Sequence, residues 1–223
     1  MSIARGLVGW WRFDENLTDA SGNGNNGTGV GSPTFTSGIY GQALSLNGTN
    51  QRVDLGVNTI PAAIHGASGV TFSAWIRQTA TSTDVKCIIG VPIDGTSIGM
   101  AAFVENKSFR ISGRSRSSDS AQGENLADAI EPGVWYHIVG VVSYSENRII
   151  IYINGELALD QAGISFGSST FVSGDQTDDS RIGMTPFILG SRYFNGQIDN
   201  AMIYNRALTL SEIKTLYALG SPL

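Results

Sequence analysis

The chain of 223 residues is glycine-rich and acidic, with 28 glycines, 15% charged residues and a formal net charge of −5. This length suits one all-β domain with a sizeable core, and the abundant glycine favours short strands and tight turns. The densest basic run, at 110–116, is too sparse for a phosphate-binding surface, so no nucleic-acid partner is expected. Because no stretch approaches the roughly 20 apolar residues of a membrane span, no membrane insertion is expected.

Short apolar and alternating runs predict strands along the whole chain. In order, they lie at 7–13, 42–47, 51–56, 70–78, 86–92, 99–105, 108–112, 135–144, 148–154, 157–160, 186–191 and 197–204. The alternation is clearest in the fourth of these, where Phe72, Ala74 and Ile76 share one face. The segments 56–69, 113–132 and 163–183 do not have this pattern, so we predict long loops there. Cys87, the single cysteine, is expected to be a small core residue.

The C-terminal part combines strand, turn, strand and helix patterns. A β run at 187–189 precedes an Asn-Gly turn signal at 195–196. The next strand is predicted to point Ile198, Asn200, Met202 and Tyr204 one way and Gln197, Asp199, Ala201 and Ile203 the other. Thr209 and Glu212 then fit a capping box. The helix that follows is predicted to carry an apolar stripe of Leu210, Ile213, Leu216 and Tyr217 and to end at Gly220.

This ending resembles the C-terminus of concanavalin A-like lectin/glucanase jelly rolls in the laminin G-like branch. Further motifs match in the family's order at 6–15, 19–27, 41–48, 70–76, 133–139 and 151–155. The resemblance implies a single domain over 1–223, an antiparallel two-sheet β-sandwich of jelly-roll type with a short C-terminal helix. It also implies that the first and last strands lie close together. The fold alone does not define a function, because it serves lectins, glycosidases, adhesins and structural modules.

The loop at 19–27 is the best candidate for a metal site. Its alternating oxygen-bearing side chains match the first half of an EF-hand, but Val30 stands where the bidentate glutamate belongs, which excludes that motif. The family resemblance implies instead a structural calcium ion shared with an acid on the last strand. The predicted ligands are Asp19, Ser21 and Asn23 from the loop, Asp199 as the matching acid, and Asp14 as a further candidate. The alternative is that the asparagines and glycines serve turns and that Asp19 closes an Asx-turn.

Catalytic patterns are absent from the sequence. Retaining glucanases of the superfamily that this chain resembles carry an acidic run that places two carboxyl groups about 5 Å apart on one sheet face. This chain has no such run. His137 is expected to play an ordinary structural role in a strand. The sequence also contains no nucleophile elbow, zinc spacing or phosphate loop. We therefore predict no catalytic residues, and an enzyme, as a glycosidase or lyase, is the least favoured class.

Aromatic residues are the remaining candidates for binding, because sugar rings stack on exposed Trp and Tyr while Asn, Asp and Arg bind hydroxyl groups. Trp10 and Trp11 face opposite ways in a strand, so one is expected in the core and the other exposed or covered by the C-terminal helix. Trp75 and Trp135 are expected to pack. The predicted ligand-binding residues are Arg192, Tyr193, Phe194 and Asn195, which lie together in the predicted turn.

These patterns favour a non-enzymatic recognition or structural module. The start lacks a signal-peptide pattern, so we expect a protein made in the cytoplasm and present on a virion surface or outside the cell. The predicted function is a phage capsid decoration protein or tail adhesin that binds glycans, a capsid protein or another virion protein, and it is compatible with a homo-oligomer. The alternative is a free-standing carbohydrate-binding lectin module of a secreted glycan-active protein. Contacts are expected in the polar loops at 113–132 and 163–183.

Overall fold

The computed structural model describes residues 3–186 and 192–220, which form a sandwich of two antiparallel β-sheets. The strands are β1 Leu7–Trp11, β2 Thr28–Val30, β3 Thr34–Ser37, β4 Gln42–Asn47, β5 Arg52–Val57, β6 Gly69–Gln78, β7 Lys86–Pro92, β8 Ile98–Glu105, β9 Ser108–Gly113, β10 Gln122–Leu126, β11 Tyr136–Ser143, β12 Arg148–Ile153, β13 Glu156–Ala162, β14 Asp179–Ile182 and β15 Asn195–Tyr204. The helices are α1 Thr59–Ile64 and α2 Leu210–Gly220. The predicted fold class is confirmed.

The strands divide between the sheets in a way that brings the two ends of the domain together. The first sheet has the order β13-β12-β11-β6-β15-β4-β3, and β1 also pairs with β15. The second sheet has the order β10-β9-β8-β7-β14-β5-β2. In the antiparallel β1–β15 pair, Trp10 lies opposite Met202 and Trp11 opposite Ala201. The expected proximity of the first and last strands is therefore confirmed.

Apolar side chains fill the space between the sheets and a second layer outside the first sheet. Phe72, Ala74 and Ile76 face the inner core as predicted, and Trp11 is fully buried there. On the outer face of the first sheet, α2 packs over a separate cluster that contains Val139, Val141, Tyr204, Leu208, Ile213 and Leu216. Burying the apolar stripe of a helix of only 11 residues against a sheet stabilises it, since so short a helix is marginal by itself.

Several elements are short and were not predicted. These are β2, β3, β10, β14 and α1. The expected loop at 113–132 therefore contains β10, the one at 163–183 contains β14, and the one at 56–69 contains α1. The missed strands have three to five residues, and β2, β3 and β10 are edge strands or lie next to the edge with largely polar, exposed side chains. Such segments do not show an apolar alternation long enough to detect. The predicted β run at 187–189 lies outside the described residues.

The predicted alternation along β15 is wrong after Asp199. The structure places Ile198, Ala201 and Ile203 in the inner core and Met202 on the outer face. A β-bulge causes this change, because Asp199 lies opposite Trp75 while Met202 already lies opposite Ser73.

The residue that makes this bulge possible is Asn200. Its φ of 49° lies in the left-handed region, which asparagine tolerates better than most residues. The turn predicted at Asn195–Gly196 is also wrong. Both residues lie inside β15 and pair with β4, so the chain is extended there.

Candidate functional site

A cleft of about 380 Å³ lies on the outer face of the first sheet beside α2. One part of its lining is apolar and includes Leu7, Met202, Leu216 and Leu219. Another part is aromatic and polar and consists of Trp10, Arg12, Asp14, Tyr40 and Asn200. Ser73, Trp75 and His137 from β6 and β11 also line it. We call this site the outer-face cleft.

Trp10 stands at the centre of the polar part. It is half-buried, and its indole Nε1 donates a hydrogen bond of 3.0 Å to Oδ1 of Asn200. The guanidinium of Arg12 lies 5.6 Å from the centroid of the Trp10 ring, a cation–π distance. The same Arg12 forms an ion pair of 2.9 Å with Asp14. One aromatic ring is thus fixed in place beside a cation and a carboxylate.

Asp199 positions both aromatic walls of the cleft from behind. Its side chain is fully buried, and Oδ2 accepts hydrogen bonds from the backbone N–H groups of Ile39 (2.9 Å) and Tyr40 (3.4 Å). Its Oδ1 accepts a bond from the side-chain amide of Asn200 at 3.0 Å, and Asn200 in turn holds Trp10. Burial raises the pKa of Asp199 to about 6, although hydrogen bonds from the backbone N–H groups of Ile39, Tyr40 and Asn200 act in the opposite direction.

The turn at 38–42, which carries Tyr40, is held by two carboxylates. Asp199 bonds its middle, and Oδ1 of Asp14 accepts a bond of 3.0 Å from the N–H of Gln42. Gly41 has a φ of 58°, and a Cβ there would lie 2.1 Å from Oδ1 of Asp14. The positive φ favours glycine at this position, and a side chain there would also displace the carboxylate of Asp14.

His137 forms part of the floor as a neutral ring. Its Nε2 lies 2.9 Å from Oγ of Ser73, and its ring centroid lies 5.4 Å from that of Trp75. Tyr217 of α2 stacks on Trp75 at 5.5 Å. Burial lowers the pKa of His137 to about 3, and its Nδ1 is buried with no hydrogen-bond partner within the described part of the chain. Because no acid among the described residues bonds to this imidazole, the Ser73–His137 pair has no third member of a catalytic triad in that part of the chain.

The loop at 19–27 is closed by the carboxylate of Asp19. Its Oδ1 accepts bonds from the N–H groups of Trp10 (2.9 Å) and Ser21 (2.8 Å). Its Oδ2 accepts bonds from Oγ of Ser21 (2.8 Å) and the N–H of Asn25 (2.9 Å). Burial alone would raise the pKa of Asp19, but these hydrogen bonds lower it overall. The contact with the N–H of Ser21 is the Asx-turn that the sequence allowed as an alternative.

The predicted calcium ligands fall into two separate groups. Asp19, Ser21 and Asn23 lie in the loop, where Asn23 donates its amide to the carbonyls of Leu7 and Val8. Asp14 and Asp199 instead hold the turn at 38–42. Across residues 3–186 and 192–220, no group of three or more His, Cys, Asp or Glu side chains is arranged to hold a metal ion. The two groups thus bond to different segments of the backbone, and calcium binding stays a prediction.

The predicted ligand-binding residues at 192–195 do not form one surface. Phe194 is 0% exposed and belongs to the inner core, so its ring is closed to a ligand. The carbonyl of Arg192 accepts a bond from the N–H of Cys87, and Tyr193 forms a bridge to the same residue. Asn195 begins β15. Arg192, Tyr193 and Asn195 are half-buried, and Cys87 itself is buried as predicted.

The cleft contains residues that the sequence did not single out, above all Arg12 and Asn200. The Trp10–Trp11 pair was a usable signal, since the structure buries Trp11 and leaves Trp10 half-buried beside the cleft. Trp75 packs as expected and is 5% exposed. The hydrogen bonds that join Trp10 to Asn200 and Tyr40 to Asp199 each span more than 150 residues of chain, and no local sequence pattern reports such contacts.

The family model described as the concanavalin A-like lectin/glucanases superfamily matches residues 47–214. A similar solved structure is domain 4 of AbnA, a GH43 extracellular arabinanase from Geobacillus stearothermophilus, in complex with arabinotriose. It shares 21% identity at a TM-score of 0.71, over 95% of this chain and 98% of that one. No curated protein matches the chain.

Toxin domains are also similar in fold. The binding domain of botulinum neurotoxin DC in complex with rat synaptotagmin II has a TM-score of 0.74 at 16% identity, over 99% of this chain and 53% of that one. The same binding domain in complex with SialylT has a TM-score of 0.72 at 17% identity, again over 99% and 53%. The chain therefore spans about half the length of these toxin domains. Neither helix within the described ranges is long and apolar enough to cross a membrane.

Proposed function

This chain belongs to the concanavalin A-like lectin/glucanases superfamily, and we propose that it is a non-catalytic module that binds glycans in the outer-face cleft. The observation that carries the proposal is the joint placement of two aromatic residues and three polar ones in that cleft. Trp10 and Tyr40 offer ring faces, and Arg12, Asp14 and Asn200 offer donors and acceptors. A sugar presents apolar C–H faces and hydroxyl groups together, so both kinds of contact are needed.

The rigidity of the site supports binding over an incidental depression. Trp10 is fixed by Asn200, and the backbone of Tyr40 is fixed by Asp199. Tyr40 nonetheless keeps 43% of its surface exposed. An aromatic ring that is held in position before a ligand arrives, as the Trp10 ring is, loses little conformational entropy on binding. The similar fold of the arabinanase domain in complex with arabinotriose adds support from a related architecture.

The arrangement of the acids supports a non-catalytic role. A retaining glycosidase needs two accessible carboxyl groups on either side of the scissile bond. Asp14 is available at the cleft but is paired with Arg12. Asp199 has the raised pKa expected of an acid catalyst, yet it is fully buried and its oxygens accept bonds from Ile39, Tyr40 and Asn200. The buried carboxyl therefore serves to position the cleft walls.

The setting in which the module works is a further part of the proposal. As a phage capsid decoration protein or tail adhesin, it would present the cleft on a virion surface. As a lectin module of a secreted glycan-active protein, it would resemble domain 4 of the arabinanase in use as well as in fold. A capsid or other virion protein as partner, and a homo-oligomer, stay predictions that light scattering and binding to purified capsids would test.

A glycan array tests the proposed function. Purified wild-type protein is expected to bind a defined set of glycans, and Tyr40→Ala and Trp10→Ala are expected to weaken that binding at least about tenfold, the effect of one or two lost aromatic contacts. Tyr193→Ala is the matched control, because Tyr193 is a half-buried tyrosine outside the cleft. Circular dichroism checks that each variant is folded.

Two results would contradict the proposal. A blank array for folded wild-type protein would remove the glycan ligand and favour a protein partner. Loss of binding in Tyr193→Ala, with Tyr40→Ala and Trp10→Ala unchanged, would move the site to the residues at 192–195.

A further inference from the structure

A second aromatic and polar group lies on the outer face of the first sheet. The ring of Trp135 is half-buried, and the guanidinium of Arg77 lies 5.2 Å from its centroid. Nε of Arg77 donates a hydrogen bond of 2.8 Å to Oε1 of Gln197. We call these three residues the Trp135 patch. Trp135 was expected to pack in the fold, but part of its surface is open to solvent.

The Trp135 patch continues from the outer-face cleft along the strands. Trp75 lines the cleft, and Arg77 follows two residues later on β6, so both side chains point to the same face. On the neighbouring strand, Asp199 pairs with Trp75 and Gln197 pairs with Arg77. Two residues along a strand span about 7 Å. Arg77 and Gln197 are thus one strand repeat beyond the floor of the cleft, and Trp135 lies directly before β11, which begins at Tyr136.

The chemistry of the patch repeats that of the cleft. Each contains a tryptophan with an arginine over its ring, at 5.6 Å for Arg12 and Trp10 and at 5.2 Å for Arg77 and Trp135. Each also contains a side-chain amide, from Asn200 and from Gln197. A guanidinium has five N–H donors in a planar fork, and only the Nε of Arg77 is used by Gln197. The remaining donors suit neighbouring hydroxyl groups.

We propose that the Trp135 patch is a second subsite, and that the ligand is a linear oligosaccharide that runs from the outer-face cleft to Trp135. This inference rests on the proposed function and narrows its ligand class from glycans in general to extended chains. A monosaccharide or a short branched terminus would fill the cleft alone. A longer chain would gain contacts at the patch, so its affinity rises with length.

Binding to oligosaccharide ladders tests the inference. Linear arabinose, xylose and glucose oligosaccharides, from the disaccharide to the hexasaccharide, are titrated against the full chain. Wild-type affinity is expected to increase along the ladder that binds. Trp135→Ala and Gln197→Ala are expected to remove this increase, about tenfold for the longest member, and to leave the shortest member unchanged. Tyr40→Ala is expected to weaken every length.

The control is Arg110→Ala. The guanidinium of Arg110 lies 5.4 Å from the centroid of the Phe103 ring, and Phe103 is on β8 of the other sheet. The substitution therefore removes a similar cation–π pair away from the cleft. If the affinities of wild type, folded Trp135→Ala and folded Gln197→Ala change in the same way with oligosaccharide length, the second subsite is overturned and the proposed function stays intact. A wild type that binds no ladder, yet binds a compact glycan on the array, would overturn the extended ligand. A wild type that binds neither would overturn both.

Discussion

Oδ1 of Asn200 accepts a hydrogen bond of 3.0 Å from the indole Nε1 of Trp10, across 190 positions of the chain. Asn200 is also the residue with left-handed backbone that forms the bulge in β15. One residue therefore sets the local geometry of the last strand and the orientation of the tryptophan on the first. Bulges commonly re-aim side chains beside binding sites, and this one turns Asn200 toward the cleft.

Two substitutions at Asn200 separate these roles. Asn200→Gly keeps a residue that adopts positive φ but removes the bond to Trp10, so we expect a loss of about 1 kcal/mol in the free energy of unfolding. Asn200→Ala also places an unsuitable residue in the left-handed region and is expected to lose about 1 kcal/mol more. Urea unfolding measures both, and glycan binding is expected to weaken in each. Equal free energies of unfolding for the two variants would show that the left-handed φ at position 200 does not limit which residue the bulge accepts.

The buried carboxyl of Asp199 predicts a pH dependence of stability. Burial raises its folded-state pKa to about 6, above its ordinary value of 3.8. The stability contributed by the protonated form is therefore fully present below pH 3.8 and is lost as pH rises through 6. Compared with Asp199→Asn, which does not titrate, wild-type stability is expected to fall by about 2 kcal/mol between pH 4 and pH 7.

The measurement is urea unfolding of both proteins across that range. Subtracting the variant from the wild type removes the titration of the other carboxyl groups, several of which have lowered pKa values and act in the opposite direction. A difference between the two proteins that does not change with pH would show that Asp199 titrates normally and is hydrated in solution.

The sequence was informative where the chain interacts with its near neighbours. The alternation of Phe72, Ala74 and Ile76 predicted which face of β6 is buried, and the Thr209–Glu212 spacing predicted the start of α2. Such patterns depend on periodicity and on contacts three or four residues apart. They do not reveal a bulge, because the residues along β15 fit an alternating strand whichever of its two faces is taken to be buried.

The cleft depends on contacts of the opposite kind. Asp199 bonds Tyr40 across 159 positions. The family resemblance implied a metal-binding role for that acid, and the sequence does not tell an exposed aspartate from a buried one. Phe194 illustrates the same limit, since an aromatic residue beside Arg and Asn suits either a ligand site or a core. Burial on the outer face of the sheet depends on how α2 docks, which is a tertiary property.

The loop closed by Asp19 provides a test of the calcium prediction. Asp19→Ala removes the acceptor of four hydrogen bonds, so we expect a Tm lower by at least about 5 °C. Thermal melting of the wild type with calcium and with chelator tests the ion. A Tm that rises with calcium, and no such rise in Asp19→Ala, would confirm a metal ion at the loop. The same Tm with calcium and with chelator would show that the hydrogen bonds of Asp19 hold the loop without a metal ion. Asn16→Ala, an exposed change in the preceding turn, is the control.

The start of α2 depends on Glu212, which combines a capping box with an ion pair. Its Oε2 accepts bonds from the N–H of Thr209 (3.0 Å) and from Arg206 (2.8 Å), and Oε1 accepts a second bond from Arg206 (2.8 Å). Thr209 completes the box by accepting the N–H of Glu212 at 3.4 Å. These bonds, led by those from Arg206, lower the pKa of Glu212 to about 2.

A lowered pKa makes this stabilisation available above the ordinary pKa of 4.5, and it is lost as pH falls through 2. Glu212→Gln is therefore expected to cost about 1–2 kcal/mol at pH 7 and much less at pH 2. Urea unfolding at both pH values measures this, with Ser211→Ala on the exposed side of α2 as the control. Because Leu216 of α2 lines the cleft, glycan affinity at pH 7 is expected to fall with the helix. An equal loss of stability at both pH values would show that Glu212→Gln acts through the introduced amide group and not through the loss of the negative charge.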